Sequence, residues 1–118
     1  LLDQEIRTGE RYRDTQKPVY VKTLNVPVSA LTSQNVFYAH NISNFGQLVE
    51  LYCYAHCSII RPFPASYYGT AAWDGQCLIN ATNLKFEFGT TMLAEIRKYT
   101  GGIDVIIKYT KTTGIGEE

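Results

Sequence analysis

At 118 residues, 45% of them hydrophobic and 19% charged, the chain has the size of one domain and is too apolar for a disordered one. Eleven basic residues balance eleven acidic ones, so no long-range positive field is available to draw in nucleic acid or an anionic membrane surface. No apolar run reaches the roughly 18 to 20 residues that a bilayer span needs, and no membrane insertion is expected.

The chain opens Leu1-Leu2-Asp3 without an initiator methionine, which reads as the visible end of a longer parent. Residues 1–17 carry charges of both signs and no sustained period, as an extended N-terminal arm or linker would. The first strand signal is Pro18 to Leu24, where Val19, Val21 and Thr23 alternate with Tyr20, Lys22 and Leu24. Pro27 lacks the amide donor of a central strand and breaks the pattern. A second strand is expected from Asn35 to His40, a turn from Asn41 to Gly46, and the longest strand from Gln47 to Arg61. In that strand Val49, Leu51, Cys53, Ala55, Cys57 and Ile59 share the face assigned to the core, and Glu50, Tyr52, Tyr54, His56 and Ser58 share the other.

Pro62 and Pro64 are expected to end this strand, and a loop of aromatic and small residues to run from Ala65 to Gly75. Gln76 to Asn80 and Leu84 to Phe88 read as a hairpin. Thr90 to Tyr99 holds good helix formers but is short enough for a single turn or a loop. Ile103 to Lys111 is the last strand, with Val105, Ile107 and Tyr109 on one face. About six or more short strands without a strong helix predict an all-β domain over residues 18–113. The expected architecture is an antiparallel, jelly-roll-like β-sandwich between the arm and a flexible tail at 114–118.

Cys53, His56 and Cys57 invite a metal reading, but two cysteines four residues apart on one strand face lie roughly 13 Å from each other, and His56 points the other way. The two cysteines are read as small buried apolar residues, with Cys77 left able to pair with one of them across strands. No metal or cofactor is expected. His40 is read as hydrogen-bonding backbone at a strand end. Neither a glycosidase carboxylate pair nor a thiol triad stands out, so the chain reads as non-enzymatic.

The densest aromatic cluster outside the strand patterns is Tyr67, Tyr68 and Trp73 beside Asp74. Flat rings stack on sugar CH groups and a carboxylate accepts from hydroxyls, which makes these four the candidate ligand-binding residues. Packing beneath the loop is the structural alternative. Tyr52 and Tyr54 would form an exposed aromatic stripe on the outer face of the long strand and are the candidate oligomer interface.

The run from Thr8 to Thr23, TGERYRDTQKPVYVKT, resembles a recurrent phage pattern. In that pattern an aromatic, an Asp-Gly-Lys-Pro turn, a tyrosine and a Lys-Thr pair lead into the first strand. Ala39 to Asn44 resembles its His-Gly-Ile segment, and Tyr109 to Thr113 its closing strand. The family is the C-terminal module of tailed-bacteriophage tail-fibre and baseplate (host-specificity) proteins. The resemblance runs in order from Thr8 to Thr113. It departs at Thr15-Gln16 and at Asn41, where the pattern carries glycine, and it does not extend to the Cys-rich strand or to residues 65–75. It implies a virion protein assembled in the bacterial cytoplasm, a homotrimer contacting other tail or baseplate proteins, with a receptor-binding role toward a bacterial surface polysaccharide. A purely structural decoration or baseplate-clamp domain is the alternative.

Overall fold

The structure, a computed structural model, describes residues 2–67 and 70–113. Among these residues nine strands form two antiparallel sheets, joined by one α-helix and a short 3-10 helix at Val28–Ala30. The strands are β1 (Glu5–Arg11), β2 (Pro18–Val26), β3 (Asn35–Ala39), β4 (Phe45–His56), β5 (Ile60–Phe63), β6 (Ala65–Tyr67), β7 (Thr70–Ile79), β8 (Asn83–Phe88) and β9 (Ile103–Lys111), with α1 (Thr90–Arg97) before the last. One sheet has the order β1-β2-β9-β4-β5 and the other β3-β8-β7-β6. The expected all-β class is what the chain adopts. Its likeness to a jelly roll goes no further than two facing antiparallel sheets, because local hairpins (β1-β2, β4-β5, β6-β7-β8) set much of the strand order.

Alternation places the core. Tyr20, Leu24 and Val26 of β2, Ile103, Val105, Ile107 and Tyr109 of β9, and Leu84, Phe86 and Phe88 of β8 are all buried, as period-2 strands with one apolar face require. Met92 and Ile96, four apart on α1, close one end of the core. α1 can start there because residue 89 is glycine: a Cβ at that position would lie 2.1 Å from the Ala71 carbonyl oxygen. Lys22 also faces inward, and its Nζ donates to the carbonyls of His40 (2.9 Å) and Asn41 (3.2 Å). His40 is buried, accepts the Ile42 amide at Nδ1 and donates from Nε2 to the Asn80 carbonyl, so both ring nitrogens serve backbone, as the sequence suggested.

Three expectations change. Part of the N-terminal arm is a strand: β1 pairs with β2 from Glu5↔Lys22 to Arg11↔Pro18, although nearly every residue of it is exposed. The long strand does not reach Arg61. It turns where the Cys57 amide donates to the Ile59 carbonyl, and it returns as β5, leaving Ile59 and Ile60 exposed at the tip. Pro62 therefore lies inside a strand, at the edge of the sheet, where a missing amide donor does no harm. An extra residue in the β4–β9 ladder at Val49 and the turn at Ile59 together trim the expected inner face, so Leu51, Cys53, Ala55 and Cys57 touch the core and Val49 and Ile59 do not. Finally, most of the expected loop at 65–75 belongs to β6 and β7.

Candidate functional site

The expected ligand cluster is not assembled as a presenting loop. Trp73 sits within β7, half-buried, packed against the core, with the Arg61 guanidinium 4.7 Å from its ring centroid. Asp74 is exposed and lines a shallow depression of about 340 Å³ with Gln34, Gln76 and Glu87. The indole packs inward and the carboxylate points out, so the two do not form one binding surface. Tyr67 belongs to β6, and Tyr68 lies outside the described residues.

An aromatic that the sequence reading passed over shares a sheet face with Gln76 and Glu87, which line this depression. Phe37 on β3 is 61% exposed, opposite Lys85 in register, with the Lys85 ammonium 5.7 Å from its ring centroid and bridged to Glu87 at 3.0 Å. Two positions along, Asn35 pairs with Glu87, which pairs in turn with Gln76. The run Val36-Phe37-Tyr38 is apolar throughout, so alternation alone could not say which ring faces out. The buried Val36 fixes the parity.

The outer face of the five-stranded sheet is the other candidate. Register sets Ile6, Val21 and Lys108 in one row, Thr23, Ile106 and Tyr52 in the next, and Asn25, Asp104, Tyr54 and Pro62 in a third. Ile6 and Tyr52 are 43% and 41% exposed and Tyr54 is half-buried, so the tyrosine pair lies within a broader apolar strip. Charges on this face are satisfied within it. Lys108 Nζ stands 3.3 Å from Glu50 and 3.5 Å from Glu10, and the Tyr52 hydroxyl donates to Glu50 at 2.5 Å. The Tyr52 bond is the main reason the Glu50 carboxyl is held below its ordinary range, and the same bond raises the Tyr52 hydroxyl.

At the end of the strip Asp104 accepts from Asn25 (2.9 Å) and pairs with His56 Nε2 (2.7 Å), tying β2, β9 and β4 together. Partial burial pushes the Asp104 carboxyl up, but the bonds from Asn25 and His56 outweigh it and the net direction is down. Among the described residues, no group of three or more His, Cys, Asp or Glu side chains could hold a metal ion, and no helix is long and apolar enough to cross a membrane. Comparison with protein-family models, with curated proteins and with solved structures found no match for this chain.

Proposed function

We propose that this chain is a non-enzymatic assembly domain of a tailed-phage fibre or baseplate, which binds further copies of itself through the outer face of its five-stranded sheet. The observation that carries the reading is the strip of Ile6, Val21, Thr23, Ile106, Tyr52 and Tyr54, an apolar sheet face with its charges already paired. A formal net charge of zero removes the repulsion that would hold copies apart. The phage context comes from the sequence resemblance. Two backbone angles support it: Gln16 (φ 60°) and Asn41 (φ 56°) stand where the pattern carries glycine, and both have the left-handed conformation that glycine favours.

Sedimentation velocity at tens of micromolar tests the assembly reading. A homotrimer is expected, and Tyr52→Lys should return a monomer with an unchanged circular dichroism spectrum. A wild-type chain that stays monomeric would sink it. Recognition of a bacterial surface polysaccharide is a second reading, favoured by the exposed Phe37 ring on the sheet face that carries Gln76 and Glu87 of the depression, which Gln34 and Asp74 also line. Amide and carboxylate groups there offer acceptors and donors for hydroxyls, and the ring offers a stacking face.

A further inference from the structure

Cys53 of β4 and Cys77 of β7 approach each other from opposite sheets. Cys53 pairs in register with Val105 and Cys77 with Phe86, both fully buried, so both cysteines point into the sandwich. They line one cavity of about 150 Å³ with Leu51, Phe63, Pro64 and Gln76. The Cys77 Sγ itself stands 4.0 Å from the Leu78 carbonyl oxygen. Two cysteines that face one small cavity from opposite sheets have side chains directed toward each other, the arrangement an intersheet disulfide needs. Cys57 stands apart at the β4–β5 turn, beside Arg61.

We propose that Cys53 and Cys77 form an intersheet disulfide when the chain meets a low-molecular-weight disulfide such as oxidised glutathione, and that Cys57 takes no part. Cys77 is half-buried and Cys53 buried, so Cys77 reacts first. It loses its proton, its thiolate attacks one sulfur of oxidised glutathione, the glutathione S–S bond breaks and one glutathione leaves. Cys53 then loses its proton and attacks the Cys77 sulfur of the mixed disulfide, and the second glutathione leaves. Two protein thiols are oxidised, one glutathione disulfide is reduced to two glutathiones, and these take up the two protons. The neighbouring Cys77 thiol and burial hold the Cys53 thiol in its protonated form, so the second step is the slow one and quickens with rising pH. The new bond adds a covalent link between the two sheets, and it closes the chain from Cys53 to Cys77 into a loop.

The test incubates the full chain with oxidised glutathione at alkaline pH, counts thiols after denaturation, and maps peptides without reduction. The three thiols of the chain should fall to one, with Cys53 and Cys77 in one linked peptide. The melting temperature should rise by about 10 °C and return on reduction. Cys57→Ser should cross-link in the same way, and Cys77→Ser should show neither the link nor the thermal gain. Three surviving thiols, a glutathione adduct that persists on Cys77, or a link that includes Cys57 would each overturn the proposal.

Discussion

Trp73 and Phe37 exchange the roles that their surroundings in the sequence suggest. Trp73, next to Asp74 and Gly75, has the neighbours of a turn residue, yet it packs on the core under Arg61. Phe37, inside an apolar triplet, stands 61% exposed. Truncating each separates structure from recognition. Trp73→Ala should lower unfolding free energy by about 2 to 3 kcal/mol, less than a fully buried tryptophan costs, and melt the domain earlier. Phe37→Ala and Asp74→Ala should leave the melting temperature within a degree or two and reduce retention on host polysaccharide. Retention that survives both changes would remove the glycan reading. His40 was the more legible residue, because a histidine at a strand end before a turn has backbone groups within reach and little else to do.

At the scale of elements, legibility followed the strength of the alternation. β2, β8 and β9 each bury one face, so their inward residues repeat every second position and their bounds were close at hand. β1 has no such period because it buries almost nothing, and an edge strand exposed on both faces looks like an arm. The turn between β4 and β5 hid because Cys57-Ser58-Ile59 contains no glycine, proline, asparagine or aspartate. After Thr70, β7 continues with Ala71 and Ala72, weak strand signals, and its pairing with β6 is irregular.

The clamp that joins β2, β9 and β4 at Asp104 yields a pH prediction. The folded-state pKa of Asp104 lies below its ordinary value. Its contribution is therefore present in full above the unfolded carboxylate range and is lost as pH falls through that range toward the folded value. Asp104→Asn should unfold at lower urea than wild type at pH 7, and the gap should narrow below about pH 4. A gap of constant size from pH 7 to pH 3 would mean that the carboxylate charge contributes nothing to the clamp.

For the whole molecule, composition and short alternating runs were enough to expect two antiparallel sheets, whereas strand order depends on long-range pairs that periodicity does not encode. The last strand, β9, lies at the centre of its sheet, between β2 and β4, so strands distant in sequence pair side by side in the core. That arrangement also decides what the N-terminal segment does. The hydroxyl of the fully buried Tyr109 donates to the Glu5 carboxylate, and burial followed by this bond raises it well above the usual phenol range. Lys111 reaches Glu5 at 2.7 Å, and the Thr8 hydroxyl donates to the Val19 carbonyl at 2.9 Å. Removing residues 2–11 would strip the Tyr109 hydroxyl of its acceptor, cut the ladder to β2 and expose β2 as a new sheet edge. Unfolding free energy should fall by about 2 to 4 kcal/mol in urea titration, the sum of one orphaned buried hydroxyl and the lost pairing, and the shortened chain should aggregate more readily. If residues 2–11 served only as a linker to another chain or domain, the urea midpoint would not move. An unchanged midpoint would therefore return this segment to the role of an arm.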